Sequence, residues 1–272
     1  MAESLVLQKL LNTTQATSIV QVGADQVGGY VSAASSVAGL LTPADVLAAH
    51  GIDASPEFVD VVRFEQPRLT SFTVPPVGQR PWPTFPTGFL RGDSFAPVWL
   101  MSRTRYSYGA EYWRIRHDGE QKVLSRYEGA ARGWMGAQRW RPPSPIVGTL
   151  ARWRNAEFFA DIVAESVLLT SLGQEAPAGF DLIHPGVWSA TVPLADCEVF
   201  ERVITAELEG VPVRLLQNTG GRADVLLLTD EPDAAESVGA GLVESAVYEL
   251  EVSADRLVNL RGVENLLVLD NG

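Results

Sequence analysis

The 272-residue chain reads as a β-rich α+β protein with short N-terminal helices, a central antiparallel meander, and a C-terminal tandem repeat of two small β-barrel-like or curled-sheet units. Three observations point there. Runs of β-branched and aromatic residues recur from Glu57 onward, the composition that suits a pleated, half-buried surface. Two proline-rich breaks interrupt these runs, at 75–89 and at Arg141-Pro142-Pro143-Ser144-Pro145. Beyond the second break the sequence matches itself in order.

Along the chain, Leu5, Leu7, Leu10 and Leu11 fall near one another on a helix over 3–11, and 16–22 reads as a strand. The Gly/Ala/Ser-rich stretch 28–39 has no decisive period. A helix then starts at Thr42-Pro43-Ala44-Asp45, with Thr as N-cap, Pro in the first position and an acid in the first turn, and Gly51 ends it. Residues 58–64 and 69–74 read as strands. Five prolines with Trp82 and Phe85 make 75–89 an extended linker, because each proline removes a ladder donor. Three further runs, 98–108, 111–117 and 121–127, are parted by Gly109 and by the tight-turn dipeptide Asp118-Gly119, giving the expected meander. The break at 141–145 divides the chain into an N-terminal α+β domain, 1–141, and an acidic repeat domain, 146–272.

Within 146–272, Ala151 to Phe158 lies on Ala206 to Val213 at an offset of 55. Val167-Leu168-Leu169-Thr170 matches Leu226-Leu227-Leu228-Thr229 at 59, and Val187-Trp188 matches Val247-Tyr248 at 60. Gly179 and Gly239 also stand 60 apart. Matches in one order with a small drift predict two copies, about 150–204 and 205–272.

Composition excludes several classes. With 46% hydrophobic and 20% charged residues and 10 Phe, 7 Trp and 6 Tyr, the chain is far from disorder. Cys197 is alone, so neither an internal disulfide nor a zinc site of several cysteines can form, and a cytoplasmic setting is expected. No apolar run approaches the ~20 residues of a membrane-spanning helix, and the N-terminus lacks a basic segment followed by an apolar one.

No strong catalytic pattern emerges. His50, His117 and His184 are far apart and lack neighbours at ligand spacing, so neither a metal nor a cofactor is expected. Acidic neighbours, Asp196 and Glu198, raise the pKa of the Cys197 thiol and make it a poor nucleophile. Gly23 to Gly29 lacks the Lys-Ser/Thr of a phosphate loop and reads as a turn. Glu249-Leu250-Glu251 resembles the Glu-x-Glu strand of ADP-ribosyltransferases, which would imply NAD as substrate; the Ser-rich strand those enzymes pair with it is not convincing here. The same two carboxylates also fit the outward face of an amphipathic strand.

Charge is segregated. Residues 1–100 hold 5 basic and 8 acidic residues, 101–156 hold 11 and 4, and 157–272 hold 5 and 21. Such a division serves either an attraction between the two parts or an interaction surface. The surface reading predicts a non-enzymatic protein-binding protein, of the immunity, antitoxin or inhibitor type, that covers a basic toxin or enzyme partner with an acidic face. Asp196, Glu198, Glu201, Glu207 and Glu209 are its candidate residues. An alternative is a single-stranded nucleic-acid grip, with Arg103, Arg105, Arg114, Arg116 and Arg126 interleaved with Trp and Tyr on the meander.

Overall fold

The computed structural model describes residues 5–73, 88–91 and 94–268. Its strands form two antiparallel sheets. The first contains β1 (Val6–Leu11), β2 (Gln26–Ala33), β3 (Phe58–Glu65), β4 (Phe72–Thr73), β5 (Gly88–Arg91), β6 (Ser94–Arg105), β7 (Glu111–Arg116) and β8 (Gln121–Arg126). Their order is β4-β6-β2-β1-β3-β7-β8, with β5 on β6. Helices α1 (Thr13–Val22), α2 (Ala34–Val37) and α3 (Pro43–Ala49) lie in the connections.

The second sheet contains β9 (Thr149–Trp153), β10 (Ala156–Val163), β11 (Ser166–Leu172), β12 (Asp181–His184), β13 (Val187–Pro193), β14 (Glu198–Leu208), β15 (Val211–Thr219), β16 (Arg222–Leu227), β17 (Gly241–Glu244), β18 (Val247–Ser253) and β19 (Leu257–Leu266); α4 (Pro232–Val238) precedes β17. The order is β12-β13-β11-β10-β9-β14-β15-β16-β18-β17, and β19 pairs with β14. The path does not close, so the expected barrels are replaced by an open sheet. The path ends at β12 and β17, and β14 joins the two parts, its first residues pairing with β9 and its last with β15.

Three expected elements change. The predicted helix over 3–11 is strand β1, which pairs with β2 and β3 in the middle of the sheet. Burial on both faces removes the alternation that would have marked it. The predicted strand over 16–22 is helix α1: the Asn12 side chain accepts from the Gln15 backbone N–H, the Gln15 side chain accepts from the Asn12 N–H, and Gly23 ends the helix in the left-handed region at φ 67°. The meander is interrupted as well. β7 and β8 form the expected hairpin, but β6 pairs with β2, so β2, β1 and β3 stand between β6 and β7. After β6 the chain crosses the end of the sheet, where the Tyr106 N–H donates to the Asp25 carbonyl. The expected helix at Thr42 is α3, capped as read. Most of the expected proline-rich linker, 75–87, lies outside the described residues.

Leu7, Ile19, Val31, Phe64, Met101, Tyr106, Tyr127 and Trp134 form the core of the first sheet, with Tyr106 edge-on to Phe64 and Trp134. The second sheet has two clusters, one around Leu208, Val213, Val225 and Val252, the other around Phe158, Leu169, Phe180 and Val192. Matching registers recur along it. Asp181, Leu182 and His184 oppose Ser189, Trp188 and Val187; sixty residues later Gly241, Leu242 and Glu244 oppose Glu249, Tyr248 and Val247, with the irregularity at the same place. A 3-10 turn follows each time, at Leu194–Asp196 and Ala254–Arg256.

Candidate functional site: the cleft between the sheets

A line of ion pairs joins the sheets. Lys9 Nζ donates to both Glu244 oxygens at 2.9 and 2.8 Å, Arg103 pairs with Glu249, Arg105 Nε lies 3.8 Å from Asp161, and Arg141 Nη2 lies 3.9 Å from Asp224. In each the cation precedes residue 146 and the carboxylate follows it. Arg105 also donates to the carbonyls of Thr149 and Ala160. Part of the segregated charge is thus spent on holding the two parts of the chain together.

These groups are deeply placed. Burial pulls the Lys9 ammonium below its usual range, opposed by Glu244. Burial raises the Asp161 carboxyl against the pull of Arg105, and raises Asp25 to about 6 against Arg105 and Arg141. Gly29 makes one contact possible: at φ +80°, a Cβ built there would overlap the Glu244 carboxylate, so only a glycine leaves Glu244 its place beside Lys9.

Beside this line opens a cleft of about 680 Å³. β6 supplies Leu100, Met101 and Arg103; β14 supplies Glu201, Val203 and Thr205; Arg214 comes from β15, and Val263 and Asn265 come from β19. The walls are mainly apolar. Two arginines give them polarity: Arg214 Nη2 donates to Glu201 at 3.2 Å with both side chains buried, and the Nε atoms of Arg103 and Arg214 have no hydrogen-bond partner among the described residues. Burial pushes the Glu201 carboxyl up while Arg214 pulls it down. Apolar walls with a few convergent polar groups are the usual make-up of a binding site. The mouth reaches Thr229 and Asp230, at the head of the acidic segment Asp230-Glu231-Pro232-Asp233-Ala234-Ala235-Glu236. A second cleft, about 870 Å³, runs along α1 and β3; its Asp60 carboxylate already accepts from Tyr112 and, twice, from Arg114.

No family model matches the chain, and no curated protein or solved structure matches it. The site therefore rests on its own geometry. Among the described residues no helix is long and apolar enough to cross a membrane.

The five carboxylates expected to form an acidic face do not gather. Asp196 is exposed in a 3-10 turn. Glu198 is tied to Arg152, Glu207 accepts from Asn259 at 2.9 Å, and Glu209 pairs with Arg256. Glu201 is withdrawn from any outer face, because it is buried against Arg214; three positions from Glu198 on one strand, it points to the opposite side. The alternative basic face is divided as well. Arg103 and Arg105 are buried at the junction, Arg114 grips Asp60 over the Phe58 ring, Arg116 pairs with Glu57, and Arg126 with Glu111. Glu249 and Glu251 have separate duties, one on Arg103 and the other on exposed Arg222. Sequence reasoning missed Lys9, Arg214 and Glu244. The available signal was a lone cation inside an apolar run, in Val6-Leu7-Gln8-Lys9-Leu10-Leu11 and Val213-Arg214-Leu215-Leu216.

Proposed function

We propose that this chain is a non-enzymatic protein-binding protein of the immunity or inhibitor type, acting in the cytoplasm, and that it receives a basic toxin or enzyme partner at the mouth of the inter-sheet cleft. The observation that carries this reading is the concentration of acidic residues beside the cleft. Residues 223–255 contain nine acidic residues and no Lys or Arg. Glu244, Glu249 and Glu251 are held by cations, and Asp224 lies near Arg141. On the rim, Asp233 and Glu236 are exposed next to exposed Leu228. An acidic rim around apolar walls suits a basic surface that inserts an apolar side chain, with the field steering encounter and the cleft supplying the anchor.

The test is capture from the native host at low and at high salt, comparing wild type with Asp233→Asn plus Glu236→Gln. A true partner is basic, is recovered by wild type at low salt, and is lost both at high salt and with the variant. Its association rate falls as the Debye length shrinks from ~30 to ~10 Å. A partner captured equally by the variant removes the rim from the site, and consumption of NAD by the purified protein overturns the reading.

We further infer that 149–208 and 205–266 are tandem copies sharing β14. The matched irregularities at Leu182/His184 and Leu242/Glu244 support this. In register terms the β11–β16 correspondence is 56 residues rather than 59, since Val167 opposes Val192 and Ala223 opposes Val252.

A further inference from the structure

β14 and β19 pair antiparallel, and Val203 lies directly opposite Val263, the residue sixty positions later. Around that point Arg202 faces Glu264, Glu201 faces Asn265 and Ile204 faces Gly262. Two strands at equivalent places in the chain thus meet about a local two-fold. One outer edge of β14 is covered by β19 in this way. β19 itself has β14 on one side and no strand among the described residues on the other. Apart from Leu257 all its residues are exposed, among them Val258 at 51%, Leu260 at 58%, Val263 at 57% and Leu266 at 54%. A ten-residue edge with four exposed aliphatic side chains is a template for strand pairing, and its only charges are Arg261 and Glu264.

We propose that the free edge of β19 pairs with β19 of a second copy of this chain, making a two-fold dimer in which the second sheet continues across the interface. The argument for that occupant is continuity with the β14–β19 pairing, which the dimer repeats one strand further out. An antiparallel pair of identical strands related by a two-fold normal to the sheet opposes residues of the same parity. Centred on Val263, as in the pairing within the chain, the register sets Val263 on its own copy, Leu260 on Leu266, Arg261 on Asn265 and Gly262 on Glu264. Aliphatic residues meet, and no like charges are opposed. The dimer edge adjoins the cleft, whose wall includes Val263 and Asn265, whereas Leu260 lies outside that wall.

Light scattering on a size-exclusion column, across a range of protein concentrations, is expected to give twice the 29.4 kDa chain mass. Val263→Lys and, separately, Leu260→Lys place a cation on an exposed edge and are expected to halve that mass while leaving the circular dichroism spectrum unchanged. Register is read by oxidation in a Cys197→Ser background. Val263→Cys is expected to form an interchain disulfide, because opposed antiparallel residues sit ~4.5–5.5 Å apart at Cα, within disulfide range. Val258→Cys, ~33 Å from its own copy in this register, is not. A monomer at every concentration overturns the proposal, as does a dimer that survives both lysine variants or cross-links through Val258→Cys in preference to Val263→Cys.

Discussion

The ammonium of Lys9 reaches the carboxylate of Glu244 across 235 residues of sequence, and the bond forms where Gly29 has no side chain. A buried pair of this kind is weak support for stability when intact and costly when halved, because the survivor is a desolvated charge. Lys9→Met or Glu244→Leu alone is therefore expected to cost about 3–5 kcal/mol, and the double variant Lys9→Met with Glu244→Leu less than either. Urea unfolding of the four proteins measures this coupling; additive losses would show that the two groups act separately.

Gly29→Ala is expected to lose about 1–2 kcal/mol from its left-handed backbone, and more from displacing Glu244. In the Glu244→Gly background only the backbone part should remain. An equal loss in both backgrounds would remove the packing argument.

Two tryptophans separate core from surface. Trp134 is buried among Tyr106 and Tyr127 and donates through Nε1 to the Ala24 carbonyl, so Trp134→Ala is expected to cost about 3–5 kcal/mol. Trp188 is half-buried and donates to the Gly173 carbonyl, so its truncation should cost less. The ranking is checked by unfolding midpoints, and the reverse order would contradict it.

Acidification acts on two groups with opposite sign. Asp25 titrates at about 6 in the fold against 3.8 without it, so its burial destabilises the fold fully above pH 6, and that loss disappears as the pH falls toward 4. Two units correspond to ~3 kcal/mol. Asp25→Asn is thus expected to be more stable than wild type at pH 8, with the gap closing by pH 4. His50, held down to about 4 by burial, acts the other way: its contribution is lost as pH falls below 6.5. In the Asp25→Asn protein stability should therefore decline with acid through that window. A gap between the two proteins that does not vary with pH rules out Asp25 as its source.

Glu201→Gln strands Arg214 and is expected to cost about 3–5 kcal/mol, whereas Glu198→Gln, at an exposed pair, should change stability by less than ~1 kcal/mol. Equal effects would mean that burial does not distinguish them.

The sequence carried local features better than neighbour relations. The Thr42 cap, the Asp118-Gly119 turn and the β-rich character of the chain were readable because each depends on adjacent residues. β1 was not, since a strand buried on both faces shows no period of two and its leucines fit a helix equally well. The break between β6 and β7 was hidden for a different reason: β-propensity marks a strand without naming its partner. For the site, the charge division was visible, but its use was not. Which carboxylate meets Arg103 depends on how two sheets approach, and no local pattern encodes that.

The long span between Lys9 and Glu244 bears on how the chain leaves the ribosome. At ~5–20 residues per second, β1 waits on the order of 10–50 s for its counter-ion to be synthesised. Arg103 and Arg105 wait likewise for Glu249 and Asp161. During that interval these cations lack their carboxylate partners, and the side of the first sheet that bears them stays uncovered until the later half arrives. Closure of the two sheets on one another is then set by the last-made partners, β17 and β18, which carry Glu244 and Glu249.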